Sequence, residues 1–326
     1  MMNEKFTIKF WGVRGSYPTP GPETIKYGGN TACVEIRAGE RTIILDAGTG
    51  IIPLGRELEK QKSSEIILLF SHLHHDHTQG FPFFVPAYIP NTRLHIFGPG
   101  GTPETLRRVL EHNQSAETFP VSLRDMPAMK DIQSVRESQV IVWESALQGH
   151  EENIRVSESS GRSSSDALVI RIYKSHAHPG GVYIYRITWR GKSVVYATDT
   201  EGYVGTDRRL ASFARDADVL IHDAQYSEEH YCGRLAGFSS TQGYGHSTAD
   251  MACEIAASAH AGELILFHHE PAYTDAMVAA QESVAKNLFH ASRAAYEGLE
   301  IKLTLTPSPL PLGEGKRMDV KYVDNG

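Results

Sequence analysis

Residues 71–80 read SHLHHDHTQG and directly follow the apolar run EIILLF at 65–70. Four histidines and one aspartate therefore lie within ten residues, just after a segment with the composition of a buried strand. Alternate side chains of an extended segment point to the same side, so His72, His74 and Asp76 share one face. The stretch predicts a metal-binding loop at the end of a buried strand.

The spacing His-x-His-x-Asp-His favours a metal site over a polar loop that is rich in histidine by chance. Histidine makes up 16 of the 326 residues, so this pattern seldom arises at random. His77 can turn in from the following residues, so one loop could supply ligands to two neighbouring ions. Imidazole and carboxylate groups suit zinc, manganese or iron. His75 has the opposite parity, and we expect it to be exposed or to lie behind the ligands.

Length and composition indicate one large globular domain, residues 1–305, followed by a Pro/Gly-rich and flexible tail at 306–326. The formal charge of −7 does not indicate a nucleic-acid-binding surface, so a nucleic acid is the less favoured substrate. The chain has three cysteines and no CxxC pair, which suits a reducing compartment. We find no secretory signal and no apolar run that could span a membrane, and therefore expect a cytoplasmic protein without a membrane partner.

Short runs rich in β-branched and aromatic residues alternate with amphipathic helical patterns. Such alternation indicates two sheets covered by helices. The helical patterns lie at 103–112 with Thr102 as N-cap, at 248–260 with Ser247 as N-cap, and at 276–297 before Gly298. WRGK at 189–192 predicts a tight hairpin turn. The predicted strands are 6–10, 32–38, 42–47, 65–70, 93–97, 139–143, 167–173, 182–188, 193–198, 218–222, 263–267 and 301–305.

Several motifs besides the metal loop carry a family resemblance that extends over most of the chain. They include FWGVRGSYPTP at 10–20, YGGNTACVEI at 27–36 and LFHHEP at 266–271. With these motifs the chain resembles the metallo-β-lactamase superfamily, and within it the phosphodiesterase branch of tRNase Z and the cyclic-phosphate phosphodiesterases. The resemblance implies an α/β (α+β) fold, the four-layer αββα sandwich, with a binuclear metal site.

The resemblance also implies a ligand set. LDAGTG at 45–50 matches a turn in which Asp46 would support the metal loop from behind the ligands. SHAHPGG at 175–181 offers two histidines, of which His178 fits better than His176. Two divalent ions are implied, zinc first, with manganese or iron as alternatives. One would be held by His72, His74, His178 and Asp199, and the other by Asp76, His77, Asp199 and His268, with Asp199 bridging.

Two further motifs resemble the proton-donor motifs of tRNase Z-like enzymes: LIHDAQY at 220–226 and YGHSTAD at 244–250. Carried over, His246 is the general acid and Asp223 its partner. An alkoxide leaving group needs a proton, and histidine can deliver one near neutral pH. The alternative is that His246 only precedes a helix cap. His222 is expected to lie in the core or behind the ligands, and the role of His269 stays open, with a core or surface position preferred.

The substrate is less well specified. The substrate-gripping arm of tRNase Z is absent, because only a hairpin separates His178 from Asp199. An insertion instead covers about 81–177 and begins with FPFFVPAYIP, which could cover a nucleobase pocket or be ordinary core. We therefore expect a hydrolase that cleaves small or cyclic phosphodiesters with a metal-bridging hydroxide. The alternatives are a tRNA 3′-end endonuclease, an ester, thioester or lactam hydrolase, and a non-catalytic metal-binding accessory protein. A homodimer is compatible with the resemblance, and the Ser-rich segment 157–166 has no assigned role.

Overall fold

The structure is a computed structural model that describes residues 5–102, 104–145, 152–158, 164, 166–202 and 206–305. The tail at 306–326 and most of the Ser-rich segment at 157–166 lie outside the described residues, so the expectations for them concern parts of the chain not described. Among the described residues, no helix has the length and apolar composition needed to cross a bilayer.

Two mixed sheets form the centre of the fold. The first has seven strands in the order β15-β1-β2-β3-β4-β5-β6, and the second has eight in the order β14-β13-β12-β11-β10-β9-β7-β8. In chain order the strands are β1 Phe6–Gly12, β2 Cys33–Ala38, β3 Arg41–Leu45, β4 Glu65–Leu69, β5 Arg93–Pro99, β6 Met129–Val135, β7 Val140–Ser145, β8 Glu152–Ser157, β9 Leu168–Ser175, β10 Val182–Trp189, β11 Lys192–Ala197, β12 Val219–Asp223, β13 Glu263–Phe267, β14 Ser292–Ala294 and β15 Glu300–Leu303.

Helices cover the outer face of each sheet. Side chains of α1 and α3 pack on the first sheet, and those of α4, α6 and α7 pack on the second. Short 3₁₀ segments at Phe81–Phe83 and Val85–Tyr88 pack beside α1. The α-helices are α1 Ile51–Gln61, α2 His75–Thr78, α3 Thr105–Asn113, α4 Arg208–Phe213, α5 Glu228–Tyr231, α6 Ala249–Ser258 and α7 Asp275–Leu288.

Strand β4 shows why the apolar runs become central strands. It is buried along most of its length and pairs in parallel with β3 and β5. Because successive side chains point to opposite faces, Ile67 and Leu69 enter the core between the sheets, and Ile66 and Leu68 face the helices. Both faces are thus apolar, which produces four layers. The predicted αββα sandwich is confirmed.

The pairing of the strands determines where the loops meet. β3, β4 and β5 run parallel to one another, as do β11, β12 and β13. The carboxyl ends of parallel strands lie at one edge of a sheet, so the loops that follow them come together. Between β10 and β11, Arg190 and Gly191 have φ of 46° and 76°, as the predicted tight turn requires. Residues 81–177, expected to be an insertion, contribute strands to both sheets.

Three helix predictions need correction. The last helix ends at Leu288 instead of 297, because Phe289 is extended and residues Ser292–Ala294 pair with β13. The N-cap of α6 is Thr248 instead of Ser247, since the Thr248 side chain accepts a hydrogen bond from the Met251 amide. α3 begins at Thr105 after Glu104, so Thr102 is not its N-cap.

The strand predictions are displaced by only one or two residues at their ends. β6, β8 and β14 were not predicted. β6 and β8 each lie at the edge of a sheet. β6 carries polar residues on both faces, so its sequence lacks a clear apolar pattern, and β8 offers only Ile154 and Val156 to the core.

The inter-sheet core can be tested with a pair of identical substitutions. Ile67→Ala removes a fully buried side chain and should lower the free energy of unfolding by about 2–5 kcal/mol. Ile25 is 78% exposed, so Ile25→Ala should change it by less than about 0.5 kcal/mol. Denaturant unfolding measures both, and similar losses in the two variants would contradict the assigned core.

Candidate active site

Asp46 and the loop after β4 form the base of the site. Asp46 follows β3, and its carboxylate accepts hydrogen bonds from the Ser71 amide and the Ser71 hydroxyl, each at 2.7 Å. It also accepts from His77 Nδ1 and from the Tyr196 hydroxyl, each at 2.8 Å. Four donors therefore hold one buried carboxylate, which in turn sets the position of the loop that carries the ligands.

One group of possible ligands lies in the deepest part of the site and contains Asp76, His77, Asp199 and His268. One ligand atom from each lies within 4.8 Å of all the others. His77 Nε2 is 3.2 Å from Asp76 Oδ2 and 3.3 Å from Asp199 Oδ1. His268 Nε2 is 3.1 Å from Asp76 Oδ2 and 3.4 Å from Asp199 Oδ1. The atoms converge on one point, as metal ligands do.

A second group, His72, His74 and His178, lies beside the first. Its nitrogens also lie within 4.8 Å of one another, and His178 Nε2 is 3.1 Å from His74 Nδ1. The two groups meet at Asp199. Its Oδ1 faces the first group, and its Oδ2 lies 3.6 Å from His72 Nε2. The structure thus brings together all seven residues predicted as ligands, with Asp199 between the two groups.

The imidazoles are oriented by hydrogen bonds on the side away from the centre. In four of them, Nδ1 lies beside an acceptor that the chain supplies. The proton of the neutral ring then sits on Nδ1, and Nε2 keeps a free lone pair. His72 Nε2 is buried and has no hydrogen-bond partner among the described residues. A divalent cation fits this donor set, because it would satisfy that nitrogen. The acceptors are Ser71 Oγ for His72 (3.1 Å), Asp46 for His77 (2.8 Å), the Gly245 carbonyl for His178 (3.2 Å) and Gln225 Oε1 for His268 (3.0 Å).

The charges also fit a cation. Burial favours the neutral form of Asp199, but His268 and His77 lower the pKa of this carboxyl well below its usual value. Burial likewise opposes the charged form of His77, but Asp199 and Asp76 raise the pKa of its imidazole well above the usual value. The buried carboxylates therefore need positive charge, which a proton on His77 or a metal ion can supply.

Three of the site residues have left-handed backbone conformations. Asp46, Asp199 and His268 have φ of 61°, 49° and 63°, and each directly follows a strand or lies within two residues of its end. This conformation is unfavourable for residues other than glycine. Non-glycine residues keep it where surrounding contacts over-determine the backbone, which is common at functional sites.

His246 and Asp223 form a pair beside the ligands. His246 Nδ1 donates to Asp223 Oδ2 at 2.7 Å, and the imidazole stacks on that of His268 with 5.0 Å between ring centroids. Asp223 Oδ1 accepts from the amides of Ser247 (3.0 Å) and Gln225 (3.1 Å). Burial would lower the pKa of His246, but Asp223 raises it to about 9. The pair can hold a proton at the edge of the metal groups.

Four other histidines considered in the sequence analysis are separate from the ligand groups. His75 and His176 are exposed. His222 is buried and donates from Nδ1 to the Asp223 carbonyl at 2.8 Å. His269 is also in the core, where Nε2 donates to the Ala295 carbonyl at 2.9 Å and burial lowers its pKa to about 3.

The segment FPFFVPAYIP does not line the site. Phe81, Phe84 and Ala87 pack in the core between the first sheet and its helices. Of the three phenylalanines in this segment, only Phe83 is exposed. A cavity of about 610 Å³ lies beside His178 and is lined by residues 176–181 with Glu201 and Gly243.

Sequence reasoning missed Ser71, Gln225 and the Gly245 carbonyl as the groups that orient histidines. Gln225 Nε2 donates to Glu270 Oε2 at 2.8 Å, which directs Oε1 toward His268. Ser71 and Gln225 lie within motifs that were identified, but the motifs do not indicate that these side chains orient histidines. The contacts of Gln225 and Gly245 depend on how distant loops meet, whereas Ser71 contacts the adjacent His72.

Comparison with known proteins places the chain among related sequences. The beta-lactamase superfamily domain matches residues 41–269 of the chain. The ribonuclease Z of Picrophilus torridus is 26% identical over 324 residues, covering 93% of this chain and 97% of the relative. The ribonuclease Z of Gemmatimonas aurantiaca is 28% identical over 325 residues, covering 92% of this chain and 96% of the relative.

Solved structures share the fold. The metallo-beta-lactamase fold protein YhfI from Bacillus subtilis superposes with a TM-score of 0.63 at 19% identity, covering 91% of this chain and 99% of that one. The short form of human tRNase Z gives 0.59 at 17% identity, covering 92% and 99%. Fold and site together define a metal-dependent hydrolase. The chain belongs to the beta-lactamase superfamily, so the predicted family is confirmed.

The position of Asp199 between the ligand groups generates a test. Asp199→Ala should leave the purified protein with no stoichiometric zinc, because both groups lose a ligand and the charge between them. Asp76→Ala removes a carboxylate from one group only and should retain about one zinc per chain, where the unaltered protein binds about two. Elemental analysis gives the ratios. Two zinc ions per chain in Asp199→Ala would contradict the bridging position.

Proposed function

We propose that this protein is a phosphodiesterase that uses two divalent metal ions, zinc first among the candidates, and the Asp223–His246 pair. The observation that carries the proposal is this pair, which stacks against a ligand of one metal group. Divalent ions held by the two groups would supply a water of lowered pKa and neutralise the phosphate oxygens. Ester, thioester or lactam hydrolysis and a purely accessory metal-binding role do not require a proton donor placed in this way.

The role of the pair follows from its geometry. Cleaving an unactivated phosphodiester releases an alkoxide, which must gain a proton. His246 binds Asp223 through Nδ1, so its Nε2 is the nitrogen that can carry that proton to the leaving oxygen. Asp223 fixes the ring and stabilises its charged form, and the amides of Ser247 and Gln225 hold the carboxylate in turn. Nearby cations would lower the pKa of His246 from about 9 toward neutrality, where it can release the proton.

An RNA phosphodiester is the substrate class with the stronger support. The two relatives described above are ribonucleases Z that align over nearly their whole length. The tRNA 3′-end endonuclease, second in the expectations from the sequence, therefore comes first in this proposal.

A small or cyclic phosphodiester is the second candidate, and the β10–β11 hairpin favours it. These strands are joined by Arg190 and Gly191 alone, so no arm extends between His178 and Asp199. A chain without that arm must grip RNA by another surface or act on a smaller substrate.

The proton-donor role predicts a dependence on the leaving group. His246→Ala should retain its zinc but lose about 10²- to 10⁴-fold in kcat on a diester with an alkyl leaving group. An activated aryl diester releases a phenolate that is stable without a proton. The kcat of the variant on that substrate should therefore fall far less. Steady-state kinetics on both substrates give the ratio, with Asp223→Asn expected to change it in the same direction. Equal losses on the two diesters would contradict proton donation by His246.

The substrate classes separate in a turnover panel on zinc-loaded protein. The panel contains a precursor tRNA, 2′,3′- and 3′,5′-cyclic nucleotides, a bis-aryl phosphodiester and a β-lactam. We expect endonucleolytic cleavage of the precursor tRNA together with slower turnover of the aryl diester. Turnover confined to the cyclic or aryl diesters would favour the second candidate, and hydrolysis of the β-lactam alone would contradict a phosphodiesterase.

A further inference from the structure

Glu201 lies two residues after Asp199 but belongs to neither ligand group and does not contact the Asp223–His246 pair. It is partly buried and lines the same cavity as His178. No cation contacts it among the described residues, and three neutral donors surround its carboxylate instead. An acidic side chain this close to His178, in a site proposed to bind an anionic substrate, requires a reason.

The donors come from two segments that are distant in sequence from Glu201. Oε1 accepts from the Tyr231 hydroxyl at 2.6 Å and from the Gly243 amide at 2.7 Å. Oε2 accepts from the Gly245 amide at 2.9 Å. The carboxylate therefore ties the end of β11 to α5 and to the loop that leads into His246.

Gly245 connects this carboxylate to the metal groups. Its amide donates to Glu201, and its carbonyl accepts from His178 Nδ1 at 3.2 Å. A Cβ on residue 245 would lie 2.4 Å from His178 Nδ1, and φ at this position is 92°. Only glycine can approach the imidazole so closely in this conformation. His246 follows directly, so one short loop orients both a ligand and the proton donor.

A second pair of hydrogen bonds joins the residues around Glu201 to the segment that carries His246. The Ser247 hydroxyl donates to the Thr200 carbonyl at 2.5 Å and accepts from the Gly202 amide at 3.0 Å. The residues on both sides of Glu201 are thus fixed to the residue after His246. The loop has no other described side-chain acceptor for the amides of Gly243 and Gly245, so its conformation at the glycines depends on Glu201.

We propose that Glu201 is a positioning residue that orients His178 toward one metal ion and His246 toward the leaving group, through the loop 243–246. The carboxylate is required because it faces three donors with two acceptor oxygens. An amide in its place has one oxygen and an NH₂ group, which must confront at least one of those donors. The part of the proposal that concerns His246 rests on the proposed function, whereas the part that concerns His178 does not.

The experiment measures zinc affinity and leaving-group dependence in Glu201→Gln. Loss of an orienting hydrogen bond behind a ligand should weaken zinc binding about 10- to 100-fold at one of the two sites, with the other nearly unchanged. The ratio of kcat for the aryl diester to kcat for the alkyl diester should rise at least about 10-fold, because His246 is misplaced. Competition with a chelating dye gives the affinities without any turnover.

Asp218→Asn is the matched control. Asp218 also accepts a backbone hydrogen bond, from Ser193 at 2.8 Å, and contacts Lys192 at 2.8 Å, but at the opposite end of β11. This variant should keep both zinc affinities and the substrate ratio even if its melting temperature falls. Tyr231→Phe removes only one of the three donors to Glu201 and should shift both readouts in the same direction by a smaller amount.

The outcomes separate the proposals. Unchanged zinc affinity in Glu201→Gln, or an equal change in Asp218→Asn, would overturn the positioning role. If Glu201→Gln does not fold, Tyr231→Phe decides, and unaltered readouts in that variant would overturn the role. If the unaltered protein cleaves neither diester, the proposed function fails, while the zinc affinities still decide whether Glu201 positions His178.

Discussion

The site depends on the hydrogen bonds that the buried carboxylate of Asp46 accepts. It lies after β3 in the first sheet and accepts from Ser71 and His77, which follow the neighbouring strand β4. It also accepts from Tyr196 on β11 of the second sheet. Burial raises the pKa of the Tyr196 phenol well above its usual value, so this hydroxyl remains a donor. One side chain therefore joins the two sheets at the edge where the ligands meet.

The site keeps its geometry at a cost to stability. Buried carboxylates and imidazoles lose hydration, and three site residues adopt left-handed backbone conformations. Burial of apolar side chains between the two sheets offsets these costs. The same packing fixes the ends of parallel strands from both sheets at one edge. The acceptors behind the histidines then direct each free nitrogen inward before any ion binds. Rigid strands set the positions of the ligands, and short loops set the position of His246.

The sequence predicted the parts of the structure that local patterns encode. Apolar runs such as EIILLF identify the central strands, and the spacing after β4 identifies the metal loop. The edge strands β6 and β8 were missed because β6 has polar residues on both faces and β8 has only Ile154 and Val156 facing the core, so pairing with a neighbour is needed to make each a strand. The last helix was extended to 297 because Ala294 and Ala295 suit a helix, yet the pairing of β14 with β13 prevails there. The roles of Gln225 and Glu201 could not be predicted, since each depends on a contact with a distant loop.

Anomalous diffraction from crystals of the zinc-loaded protein would locate the bound ions among the ligand groups. With two ligand groups joined by Asp199, we expect two zinc peaks. One should lie among His72, His74 and His178 and the other among Asp76, His77 and His268, with Asp199 contacting both. Zinc held instead by Asp223 and His246, or a single peak outside these groups, would contradict the assignment of ligands and proton donor.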